Sequence, residues 1–199
     1  INKLKKELKP NIIIRKTKYK GSRAGLGFEV IISELIAFKE IIMQISQNDY
    51  IAKIDSDVLF VSDKIFRQVI TGEDEAVGAF ARFKPGYPYL FMQGGCYLLK
   101  GSLVSRIIRQ PIYKAIKSVP KIFTKDRAIS TFPEDKVISE IVKQSCKIKI
   151  LKDLRLPSSK ADNLTKRDME QYSVIHFSEW LGLKKEYMLE VWDKICKES

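Results

Sequence analysis

The amino-acid sequence predicts an α/β fold, a layered one in which a central mixed sheet is flanked by helices. Three observations point to it. Helical and strand periodicities alternate along the first half of the chain with helix-length segments between strands, the pattern that stacks helices on a sheet. The 199 residues are 45% apolar, enough for a single domain over 1–199 with its own core. No internal repeat or low-complexity tract divides the chain.

Taken in order, residues 2–9 read as the end of a helix stopped by Pro10, and 11–16 as a strand through Ile12, Ile13 and Ile14. Residues 17–27 hold Gly21, Gly25 and Gly27 among Lys18, Lys20 and Arg23. Such a loop offers backbone N–H groups and positive charge to a phosphate, and a plain glycine-rich connection reads the same way. Phe28, Ile31, Leu35, Phe38, Ile42 and Ile45 recur at steps of three and four, one face of a long helix over 28–47. The run from Tyr50 to Val61 reads as a strand in the middle of a covered sheet, with Ile51, Ile54, Val58, Phe60 and Val61 apolar. Ser62 or Asp63 then caps a helix over 64–70, and 76–82 is a second strand.

Residues 83–93 form an aromatic loop that runs into Gly94, Gly95 and a strand over 96–99. Paired glycines at a strand start let a ligand or another backbone approach, or serve a tight turn; Tyr87 and Tyr89 can stack on a sugar or simply pack. Gly101 and Ser102 open a helix through Arg109, and 111–127 is basic and partly helical. Pro133, Glu134 and Asp135 begin another helix, with Ile138, Ile141 and Val142 inward. Two acids in a first turn are favoured by the helix dipole, and one facing a cleft could equally serve as a general base. A short strand over 148–151 precedes 152–171, a polar stretch without pattern, expected as a mobile lid or acceptor loop. Residues 173–177 give a last strand carrying His176, the single histidine, and 184–197 closes as an amphipathic helix through Met188, Val191, Trp192 and Ile195.

The formal net charge of +12 calls for an anionic partner: nucleic acid, an anionic membrane surface or a phosphorylated small molecule. The lysines and arginines are scattered, with no arginine-rich arm and no aromatic-interleaved strand, which disfavours nucleic acid. No run of eighteen apolar residues exists, and no signal-peptide pattern opens the sequence. Cys96, Cys146 and Cys196 lie far apart, matching neither a disulfide framework nor a zinc spacing. A reducing, cytoplasmic setting follows, with peripheral contact to a membrane compatible with the charge.

The chemistry is expected at Asp55 and Asp57. Residues i and i+2 of a strand point the same way, so both carboxylates face one side, where their repulsion is relieved by a hard divalent cation, Mg²⁺ or Mn²⁺. A solvated turn after a strand has the same residues.

In sequence order, Lys53-Ile-Asp-Ser-Asp-Val-Leu-Phe-Val61, Tyr87-Pro-Tyr, Gly94-Gly-Cys-Tyr-Leu-Leu99, Pro133-Glu-Asp-Lys-Val137 and His176 resemble the GT-A glycosyltransferases. The likeness is to the fringe-like and β-1,3-galactosyltransferase group. It implies a GT-A-like, Rossmann-related fold, a nucleotide-sugar donor such as a UDP-sugar, a carbohydrate or glycoconjugate acceptor, and inversion at the transferred sugar. By this resemblance Asp55 holds the donor ribose or a metal-bound water, Asp57 binds Mn²⁺ or Mg²⁺ directly, and His176 is the late metal ligand. Asp135 takes the acceptor proton with Glu134 orienting the acceptor, and Gly94 and Gly95 floor the sugar site. Arg23 and Lys53 are the cations expected at the donor. The family's opening nucleobase-binding strand has no counterpart, since the chain begins on what reads as the following helix. Two other classes fit parts of the sequence: a nucleotidyl or phosphoryl transferase holding two metals, and a non-enzymatic nucleic-acid or anion-binding domain.

Overall fold

A computed structural model describes residues 28–62, 64, 66–67, 73–81, 91–111, 122–123, 130–131, 134–156, 165–177 and 187–198. The expected helix over 2–9, strand over 11–16, basic loop with Arg23, and aromatic tip with Tyr87 and Tyr89 lie outside the described residues.

Helix α1 (Phe28–Ile41) is followed by β1 (Tyr50–Ile54), β2 (Val58–Phe60), β3 (Ala76–Ala81) and β4 (Phe91–Lys100). Then come α2 (Gly101–Ile107), β5 (Ile122–Phe123), β6 (Ser130–Thr131), α3 (Glu134–Lys143) and β7 (Ile148–Ile150). The chain ends with α4 (Lys166–Gln171), β8 (Val174–His176) and α5 (Tyr187–Glu198). The main sheet has the order β1-β4-β3-β7, antiparallel except for the parallel β3/β7 pair, so it is mixed as expected. Two small pairs stand beside it, β2 with β8 and β5 with β6.

Strand β4 organises the core because its side chains alternate between two faces. Tyr97 and Leu99 join Ile31 and Phe38 of α1, Leu103 and Ile107 of α2, and Val137, Ile138 and Ile141 of α3. Cys96 and Leu98 face the other way, against Val77, Ala79, Leu154 and Val174. A third cluster joins Leu156, Tyr172, Ile175 and Phe177 to Val191 of α5. The buried Ser139 hydroxyl, on α3, accepts a hydrogen bond from the Met92 amide at 2.8 Å, fixing the helix on the sheet.

Four expectations are corrected. The strand expected over 50–61 stops at Ile54, resumes at Val58, and its halves pair in different sheets. Among the described residues β1 lies at the edge of the main sheet, and Ile54 is 45% exposed, which explains why apolar content alone misplaced it in the middle. The glycine pair lies inside β4 rather than at its start, because Phe91 to Gln93 are already extended. Helix α1 ends at Ile41, and the following turn is closed by the Asp49 carboxylate accepting from the Ser46 amide at 2.7 Å.

The stretch over 152–171 is, in its described parts, packed rather than patternless. Leu154 and Leu156 are buried, and Arg155 between them forms a parallel bridge to Val174. Thr165 and Asp168 make a reciprocal capping box that starts α4. In α5, Val191 is buried as expected while Trp192 is 47% exposed.

Candidate metal centre

The site forms where β1 ends. Directly opposed residues of a strand pair share a face, and Lys53 opposes Tyr97, so Ile51, Lys53 and then Asp55 follow one another on the face covered by α1 and α3. The Asp55 amide extends the ladder by donating to the Gly95 carbonyl at 3.0 Å. The chain then turns, the Val58 amide donating to the Asp55 carbonyl at 3.2 Å. This turn leads into β2, whose partner β8 places His176 opposite Val58, and the Phe177 amide donates to the Asp57 carbonyl at 2.7 Å. Three residues from two sheets thereby converge.

One ligand-capable atom from each of Asp55, Asp57 and His176 lies within 4.8 Å of the others. His176 Nε2 is 3.2 Å from Asp57 Oδ1, and Nδ1 is buried without a hydrogen-bond partner. The imidazole titrates below its ordinary 6.5 because burial and then the charge of Arg155 disfavour the cation, outweighing Asp57 and Asp55. It is therefore neutral at pH 7, the form that coordinates metal. Two carboxylates and an imidazole suit Mn²⁺ better than Mg²⁺, which prefers oxygen alone, so the donor set fits the expected cation.

Gly95 has a different role from the one expected. A Cβ built there would meet His176 Nδ1 at 2.6 Å, so the space above this glycine is taken by the imidazole ring rather than by a sugar. Gly94 precedes it in β4.

Behind the aspartates lies a second acidic group. Lys53 Nζ donates to Asp55 Oδ1 at 2.7 Å and stands 3.6 Å from Glu134 Oε1. No solvent reaches either carboxylate oxygen of Glu34, and its titration is raised well above 4.5, first by burial and then by the neighbouring Glu134 carboxylate. Glu34 thus keeps its proton where an exposed glutamate has lost it. Burial works against the Lys53 ammonium, but Glu134, Asp55 and Glu34 together raise its pKa, so it stays charged.

The adjacent acids of α3 therefore part. Glu134 is turned inward and closed to solvent, which gives an acceptor-orienting role no geometric support. Asp135 is half-buried and acts electrostatically on Arg155, together with Asp57 and Asp55. Its Oδ1 also accepts from the Lys136 amide at 2.9 Å. Lys53, expected at the donor, is instead engaged with these carboxylates.

Sequence reasoning missed two members of this site. Glu34 lies three residues after Ile31 and four before Phe38, so it sits on the apolar stripe of α1, a position that flags a buried acid. Arg155 stands between two buried leucines, an alternation that reads as a short extended segment.

Fold and site together define a mixed α/β domain with a candidate divalent-cation centre. No protein-family model matches the chain, and no curated protein matches it.

Proposed function

We propose that the chain is a metal-dependent glycosyltransferase of GT-A type, moving a sugar from a nucleotide-sugar such as a UDP-sugar to a carbohydrate or glycoconjugate hydroxyl with inversion. The observation that carries this is the convergence of His176 with Asp55 and Asp57, from which it is distant in sequence, onto one cation-sized site. A bound Mn²⁺ at these residues supplies neutralisation of the charge that grows on a departing diphosphate. Lys53 holds the Asp55 carboxylate in place through its 2.7 Å bond. Asp135, at the start of α3, takes the proton of the acceptor hydroxyl, sharpening the attacking oxygen.

A nucleotidyl or phosphoryl transferase with two metals is less well supported. Two divalent ions call for further carboxylate donors, whereas the charged groups that act on these aspartates include the Lys53 and Arg155 cations, which repel a second metal.

Thermal-shift titration with nucleotides and nucleotide-sugars, with and without Mn²⁺, tests the proposal. Stabilisation by a nucleotide-sugar that requires Mn²⁺ and disappears with a chelator is expected. Stabilisation by nucleic acid that chelators leave untouched and salt abolishes would replace it with the anion-binding alternative.

A further inference from the structure

Arg155 is held by main-chain contacts to β8, the strand that carries His176. The Leu156 amide donates to the Val174 carbonyl at 3.0 Å, and Arg155 itself bridges to Val174, two residues before His176. Bridged residues point to one face, so Arg155 shares the face of Val174 and of His176, two residues further along β8. Asp55, Asp57 and Asp135 all act on its charge, yet among the described residues no hydrogen bond or ion pair engages the guanidinium. A half-buried guanidinium without a partner is an unmet demand for an anion.

We propose that Arg155 is the diphosphate-holding group of this site, its planar fork taking oxygens of a diphosphate whose remaining charge faces the Asp55, Asp57 and His176 centre. The inference rests on the metal-centre reading for the placement of its ligand, and it adds the residue and the ligand chemistry. Guanidinium suits the task because it presents parallel N–H donors to two phosphate oxygens, whereas a lysine offers a single point of charge. The contact also selects. A substrate with an uncharged leaving group leaves the cation uncompensated, while a diphosphate matches both it and the metal.

Calorimetry on the whole chain tests this with Mn²⁺ alone, inorganic pyrophosphate and UDP, each against wild type, Arg155→Gln and Arg155→Lys. In Arg155→Gln, Mn²⁺ affinity should stay within about 3-fold or tighten, while pyrophosphate and UDP, with Mn²⁺ present, should each weaken by about 10- to 100-fold. Arg155→Lys should recover part of the loss. An equal loss for both ligands places the contact on the diphosphate that they share. Loss for UDP alone overturns the assignment, as does unchanged pyrophosphate affinity beside intact Mn²⁺ binding, which makes Arg155 a structural counter-ion. If wild type binds no Mn²⁺ but binds pyrophosphate through Arg155, the metal reading fails and the Arg155 contact alone stands, with the ligand turned away from the aspartates. Should the glutamine variant not fold, modification of wild type by phenylglyoxal decides: pyrophosphate must protect Arg155, and absence of protection overturns the proposal.

Discussion

Two groups of carboxylates stand on either side of Lys53, and they balance their charge by different means. The front group, Asp55 and Asp57, is 38% and 29% exposed in its side chains and gathers His176 and Arg155 around it. The rear group, Glu34 and Glu134, is closed off under α1 and α3, where Glu34 keeps its proton and the Lys53 ammonium stands 3.6 Å from Glu134. The difference teaches that exposure decides the counter-charge. Where water is excluded a proton is the cheapest cation, and where solvent still enters a metal ion can be exchanged in. The rear group is a brace, fixing Lys53 and through it Asp55.

The comparison breaks most visibly at Asp57. Asp57→Asn should lower Mn²⁺ affinity by about 100-fold, at the upper end of ligand-shell losses, and abolish Mn²⁺-dependent UDP-sugar turnover with the circular-dichroism spectrum unchanged. Full activity in that variant ends the metal assignment.

Next comes the pair at the start of α3, of which Glu134 belongs to the rear group while Asp135 acts on Arg155. Asp135→Asn should slow turnover by about 10²- to 10⁴-fold with Mn²⁺ binding retained, as loss of a general base does. Glu134→Gln should act chiefly on stability, read by urea denaturation. A loss of only a few-fold in Asp135→Asn points instead to a retaining reaction, which lacks this base.

A smaller effect is expected where the groups meet the sheet. Gly95→Ala places a methyl 2.6 Å from His176 Nδ1, so the ring must shift, at a cost of about 1–3 kcal/mol for an overpacked interior. Mn²⁺ affinity, measured by calorimetry, should fall with it. Unaltered affinity means that His176 is not a ligand.

The smallest effect belongs to the rear group and shows itself through pH. Because the folded-state pKa of Glu34 is raised above 4.5, the folded protein binds more protons than the unfolded chain above that pH, and stability falls as pH rises toward the folded value. Glu34→Gln copies the protonated acid and escapes this loss. Its stability relative to wild type should therefore be unchanged near pH 4 and grow as pH rises above 5, in urea titrations. Parallel pH curves would mean that Glu34 is not the buried proton holder.

Much of this architecture was legible from periodicity. The faces of α1 and α3, the strands around Val77, Leu98 and Ile148, and the acids opening α3 follow from spacings of two, three and four residues, because burial repeats with the geometry of the element. Asp55, Asp57 and His176 were also legible as chemistry, since their side chains are metal donors wherever they stand. Their assembly was not, because the strand breaks after Ile54 and only the separate β2/β8 pairing carries His176 to Asp57.

No membrane-length apolar helix occurs among the described residues, in keeping with the hydropathy pattern. What the sequence by itself determined was local: which faces are apolar, where helices open, and which residues are able to ligate or transfer a proton. Only the tertiary structure decided that Gly95 makes room for an imidazole, that Glu34 is buried near Glu134, and that Arg155 bridges to the strand of His176. The physical reason is that periodicity is written within a single element, whereas burial and charge depend on which elements meet.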